Sequence, residues 1–228
     1  MSDSIPARPY VLARYLHAAV AVVVGVALLV QLVLILGGGT DVNTGESAAD
    51  VGVGTRLVRL VSYFTIQSNI FVLVASVVLA RSPARDGRVW RVVRLDALLA
   101  IAVTGIVYNT VLARLVHLDG IALWTNAALH IVSPTITLGV WLLVGPRPRI
   151  TWSAVAWAFV WPVAWIVYTF VRGAVTGWYP YPFMNASTLG YPHAVGLTSL
   201  VVVLALVLAV VLKLLDGRLR PTNLPPRA

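Results

Sequence analysis

Six stretches of this chain stay apolar for about 20 residues or more, the length a helix needs to cross a bilayer at a rise of about 1.5 Å per residue. They run roughly 12–36, 58–80, 92–113, 122–144, 152–172 and 192–214. Barrel strands are excluded, because those alternate over only about 10 residues. Only 11% of the residues are charged, against about 25% in a soluble domain. The mean hydropathy is +0.89. The expectation is an all-α integral membrane protein, a six-helix transmembrane bundle with no separate soluble domain. The first run is too long for a signal-peptide core and reads as a retained helix.

The charge is +9, and its placement explains it. The N-terminus (Arg8, Arg14), the 81–94 connection, the 145–151 connection and the C-terminal tail carry 13 of the 17 basic residues. The alternate connections hold Arg56, Arg59, Arg114 and Arg172. The positive-inside rule then puts both termini in the cytoplasm, N-in and C-in. Residues 1–11 read as a cytoplasmic N-terminus, 12–214 as the six-span domain and 215–228 as a flexible cytoplasmic tail with Pro221, Pro225 and Pro226. No basic groove interleaved with aromatics marks a nucleic-acid partner. Sixteen Arg against the single Lys213 suggest a high-GC bacterial source, hence the bacterial inner (plasma) membrane.

Three connections face outward on this topology. Residues 37–57 are Gly-rich and read as a mobile loop. Residues 114–121 are short. Residues 173–191 are too apolar for a free loop, and Pro180 and Pro182 forbid a regular helix. An aromatic lid lying at the membrane interface, or dipping back onto the bundle, fits that segment best, with Trp178 and Tyr181 as candidate pocket lining.

The absence of cysteine removes thiolate nucleophiles and Cys-ligated metals. Chemistry must come from elsewhere. The second span carries a polar stripe: Ser62, Thr65, Asn69 and Ser76 fall within about 60° of one another on a helical wheel. The fourth carries another, Asn126, His130, Ser133 and Thr137. Polar stripes in lipid turn inward. Thr65 and His130 sit at similar depths, roughly 8–12 Å below the outer surface, so contact between them is geometrically allowed.

A hydroxyl beside an imidazole is the nucleophile–base pair of acyl transfer. Asn69 and Asn126 are candidates to hold an oxyanion or to orient the imidazole. Ser62, Tyr108 and Ser133 are further candidates for pocket lining. Asp96 lies towards the cytoplasmic end and completes no triad. The plain alternative for Thr65 is a hydroxyl bonded to the carbonyl one turn back. For the stripe Trp157, Trp161, Trp165, Tyr168 and Arg172, packing is set against a substrate groove, with Pro162 kinking their helix. His193 paired with His130 on a haem is a third reading. No metal or organic cofactor is expected.

Three segments in order resemble the androgen-induced membrane protein family, which includes the androgen-dependent TFPI-regulating protein and a bacterial branch. They are Tyr63-Phe64-Thr65 with Asn69, then Asn126-x-x-x-His130 with Pro134, then Thr176-Gly177-Trp178 through Tyr181-Pro182-Phe183. The resemblance covers roughly residues 58–190. Ala127 stands where the animal members carry an extra His, the lid has an added Tyr-Pro pair, and the first and last helices show no match. The resemblance implies a six-span intramembrane threonine hydrolase of fatty acid esters of hydroxy fatty acids, with Thr65 as nucleophile and His130 as base. The expected partners are a fatty acid ester and the bilayer. The alternative is a non-catalytic lipid-binding or transport protein using the same pocket.

Overall fold

The computed structural model describes residues 8–45, 47–220 and 222. Ten α-helices are present among the described residues: α1 (Arg8–Leu36), α2 (Val53–Ser62), α3 (Phe64–Arg81), α4 (Arg88–Val107), α5 (Gly120–Ala127), α6 (Ser133–Val144), α7 (Trp152–Ala158), α8 (Val160–Thr176), α9 (Ala186–Leu189) and α10 (Tyr191–Arg218). A π-helical turn, Tyr108–Leu112, prolongs α4, and a second, Ala128–Val132, joins α5 to α6. No strand occurs among the described residues. Among the described residues, six helical spans are long and apolar enough to cross a membrane: α1, α3, α4 with its π turn, α5 through α6, α7 through α8, and α10.

Their burial fixes the arrangement. The most apolar window of the α4 span is 72% buried, against 44% or less in the other five. Accordingly α4 is the central post, packed on α3, α6, α7 and α10, while α1 lies against α3 and α6. The outer faces of α1 (Val22, Val26, Leu29) and α10 (Leu200, Val203, Val207) are exposed Val and Leu. Such continuous apolar surface is what lipid contact requires.

The second span differs from the continuous helix expected over 58–80. It breaks at Tyr63, whose backbone is extended (φ −69°, ψ 130°). Nothing local breaks it, since there is no Gly or Pro. The Tyr63 side chain does so by tertiary contact. Its ring is 1% exposed, lies edge-on to Trp178 and Tyr181, and its hydroxyl donates to Asp41. A break in lipid frees carbonyls that must be met. Gln67 Nε2 donates to the Val61 carbonyl at 2.8 Å and Trp165 Nε1 to that of Ser62 at 2.9 Å. Trp161 Nε1 closes the joint on Gln67 Oε1 at 2.8 Å.

The described residues of the 37–57 connection, expected as a mobile loop, are tied down by tertiary contacts. Arg56 donates to the carbonyls of Val51, Ala49, Ile35 and Leu36, tying the loop to the end of α1. Val42 is fully buried. The C-terminal helix also outruns its expected end and continues to Arg218. Beyond it, Thr222 exchanges hydrogen bonds with the Arg147 main chain, which is at odds with a free tail. Pro221, Pro225 and Pro226 lie outside the described residues, as do residues 1–7 of the expected N-terminal segment. Pro162 does interrupt its span: α7 and α8 meet at Phe159.

Candidate active site

Thr65 occupies the second position of α3, so the break at Tyr63 places a helix N-terminus inside the protein. The Thr65 Oγ1 lies 3.1 Å from His130 Nε2. Both residues are sealed, at 3% and 2% exposure. Nδ1 of His130 is 3.1 Å from the main-chain carbonyl of Asn126. A carbonyl can only accept, so Nδ1 carries the proton and Nε2 presents a lone pair to the threonine hydroxyl. The pair therefore has the tautomer a general base needs. No carboxylate takes part in it.

The π turn around His130 has a local cause. The Ser133 N–H reaches back to the Ala128 carbonyl, and Pro134 has no N–H to give. The carbonyls of Leu129 and His130 are left for side chains. Asn69 Nδ2 donates to Leu129 at 3.2 Å and Asn109 Nδ2 to His130 at 3.4 Å. Thus α3 and α4 both grip the turn that carries the imidazole. The Tyr108 ring stacks on that imidazole at 4.0 Å and 27°.

The two asparagines proposed for an oxyanion have their donors engaged. Asn69 also donates to the Thr65 carbonyl at 2.8 Å, and Asn126 Nδ2 donates to the Val42 carbonyl at 2.5 Å. Asn126 orients His130, but through its backbone. Sequence reasoning gave Tyr181 only a lining role, whereas here its hydroxyl meets the nucleophile. The Thr65 N–H donates to Tyr181 Oη at 3.2 Å, and Thr65 Oγ1 is 3.4 Å from the same atom. Burial pushes the Tyr181 phenol up to about 12, partly opposed by its hydrogen bonds to Thr65. It stays protonated, and because the Thr65 hydroxyl proton is directed to His130 Nε2, the Tyr181 O–H is the donor towards Thr65 Oγ1. The signal was present in the Tyr-Pro-Phe lid, but nothing local tells which tyrosine turns inward.

Other candidates disperse. Ser62 ends α2 and bonds the Val58 carbonyl and Tyr168 Oη. Ser133 is fully buried with no hydrogen-bond partner for its hydroxyl. Trp178 carries the guanidinium groups of Arg59 and Arg172 over its ring, packs on Tyr63, and lines neither cavity beside the Thr65–His130 pair. His193 is exposed while His130 is sealed, so no histidine pair is assembled. No group of three or more metal-ligating side chains occurs among the described residues. Of the two placements open to the lid, the structure has it folded back on the bundle. Tyr179 packs so closely on Gly173 that a Cβ there would lie 2.1 Å from its ring.

Two apolar cavities adjoin the pair. One, of about 80 Å³, has Thr65, Tyr108 and Tyr181 at one end and runs between α4, α8 and α10. The other, of about 360 Å³, lies between α4, α6 and α10 and includes His130 in its wall. Comparison with protein-family models, with curated proteins and with solved structures yields no match.

Proposed function

We propose that the protein is an intramembrane hydrolase of lipid esters, with Thr65 as nucleophile and His130 as general base, within the family its motifs resemble. The observation that carries the reading is the 3.1 Å contact between Thr65 Oγ1 and an imidazole nitrogen whose lone pair faces it. Thr65 Oγ1 attacks the ester carbonyl carbon while its proton passes to His130 Nε2. The carbonyl oxygen becomes an oxyanion and accepts from the Tyr181 O–H, itself polarised by the N–H groups that open α3. Collapse breaks the bond to the alcohol oxygen, which takes the proton from His130. Water then attacks the acyl-threonine with His130 again as base and releases the acid.

The apolar cavities on either side of α4 suit hydrocarbon arms. The outer walls of the first, α8 and α10, share little contact with each other and belong to the least buried spans, so access is lateral, from lipid. Fatty acid esters of hydroxy fatty acids fit this description. The arginine distribution supports both termini in the cytoplasm of a bacterial inner membrane, with the pair nearer the outer face. A protein that merely binds or moves lipids through the same cavities is the competing reading, favoured by the near-complete sealing of Thr65.

The test is labelling of detergent-purified protein with a fluorophosphonate probe, together with hydrolysis of a long-chain ester. Wild type is expected to label and turn over, and folded Thr65→Ala and His130→Ala to do neither. Labelling that persists in Thr65→Ala would falsify the nucleophile assignment. Lipid binding that survives Thr65→Ala, with no hydrolysis by wild type, would establish the competing reading.

A further inference from the structure

The cavity that begins at Thr65 ends at a carboxyl group. Along α4 its lining recurs as Asp96, Ala100, Val103, Val107 and Tyr108, a single helical face. Asp96 is 5% exposed. Its Oδ1 has no hydrogen-bond partner, and no ion pair reaches it among the described residues. Everything else at that end is apolar: Leu99, Phe159, Pro162, Val201 and Ala205. A carboxyl group within a membrane span normally finds a partner from the bundle. Here it faces a cavity instead. Arg94, two residues away, is directed to the Gly145 carbonyl at 3.2 Å.

We propose that Asp96 is a recognition subsite for a hydrogen-bond donor, a hydroxyl or an ammonium, carried at the far end of an acyl chain whose carboxyl end lies at Thr65. From Tyr108 to Asp96 the cavity follows 12 residues of α4, about 18 Å at 1.5 Å per residue, the extended length of roughly 14 to 16 carbons. The free volume of about 80 Å³ holds only part of such a chain. The weakly held α8 and α10 wall must therefore part to admit it, and the chain's own methylenes replace lipid against Val201 and Ala205. Only the terminal donor finds a polar partner. A plain chain leaves the carboxyl unmatched, and a buried group built to accept but left unpaired discriminates strongly against it. The inference deepens the ester-hydrolase reading and shares its placement of the carbonyl, but the subsite itself needs no catalysis.

The test is ligand binding to the full chain carrying Thr65→Ala, read by thermal stabilisation in detergent. Three ligands are compared: hexadecanoic acid, 16-hydroxyhexadecanoic acid and 16-aminohexadecanoic acid. At least one polar-ended acid is expected to bind about 10-fold tighter than hexadecanoic acid. A preference for the hydroxyl acid alone identifies a neutral donor, and one for the amino acid an ammonium. Asp96→Leu is expected to erase the preference while keeping hexadecanoic acid bound, and it should fold, since it removes an unpaired buried carboxyl. Asp96→Asn keeps an acceptor and should retain preference for the hydroxyl only. Equal binding of all three acids before the Asp96 changes, or a preference that survives Asp96→Leu, overturns the proposal. If wild type fails to label with fluorophosphonate yet the preference is found, the hydrolase reading falls and the subsite stands.

Discussion

Gly105 of α4 faces Pro134 of α6 so closely that a Cβ on the glycine would lie 2.9 Å from the proline Cβ. This crossing brings the two π turns together, with Tyr108 on the imidazole of His130 and Asn109 on its carbonyl. The contact that positions the base is thus made by a residue with no side chain and one with no N–H.

Gly105→Ala is expected to push α4 from α6 and destabilise the protein by about 1–3 kcal/mol, the usual cost of overpacking. Tryptophan-monitored unfolding in detergent measures it. Fluorophosphonate labelling should fall as well, because His130 and Tyr108 move. An unchanged unfolding midpoint would show that the crossing is not a tight one.

Replacing Thr65 separates hydroxyl from shape. Thr65→Ser keeps the nucleophile and should retain a measurable fraction of labelling. Thr65→Val keeps the volume, leaves His130 Nε2 unpaired, and should abolish labelling at a stability cost of about 1–3 kcal/mol. Equal labelling of the serine and valine variants would remove Thr65 from the chemistry.

Tyr181→Phe removes the hydroxyl beside the nucleophile. Loss of one oxyanion donor costs about 10²–10³ in kcat, and KM for a long-chain ester should change little. With its phenol pushed up to about 12, Tyr181 adds no inflection to the rate profile across the ordinary assay range. A loss confined to KM would make Tyr181 a lining residue only.

Asn69→Leu takes away the donor to the Leu129 and Thr65 carbonyls. Interhelical hydrogen bonds in membrane proteins are worth about 0.6–2 kcal/mol, and a loss of that size is expected in unfolding measurements. Labelling should drop further than stability, since the turn carrying His130 loses its tie to α3.

The connection before α4 provides a pH test away from the site. Arg91 hydrogen-bonds Asp86 at 2.7 Å and holds its carboxyl down to about 2, from an ordinary 3.8. A depressed folded pKa stabilises above the unfolded value, and the effect fades as pH falls through the folded one. The gap in unfolding temperature between wild type and Asp86→Asn should therefore be present at pH 6 and vanish between about pH 4 and pH 2. A gap that persists at the acid end would show that the ion pair is not its source.

The six spans were legible because lipid imposes a run length that composition alone reveals. Thr65 and His130 were legible too, since each sat on a narrow polar stripe whose only stable direction is inward. Other features were not. The break at Tyr63 carries no Gly or Pro signal, and exists because Asp41, Trp178 and Tyr181 hold that side chain from other parts of the chain. The 37–57 loop looked mobile because its glycines are a local signal, while Arg56 and Val42 order it through distant contacts. Asn69 and Asn126 were rightly seen as polar and inward, yet a wheel cannot say which carbonyl an amide will meet.

Run length and residue type, acting within one helix, settled that this chain makes a bundle of six apolar spans and which faces of two of them turn inward. Both are one-dimensional properties, fixed by the cost of polar groups in hydrocarbon. The 3.1 Å approach of Thr65 to His130, the tautomer set by the Asn126 carbonyl and the arrival of Tyr181 belong to the tertiary structure alone. Each depends on groups from separate spans or the lid meeting within hydrogen-bond range, and such distances follow from packing rather than from any helix by itself.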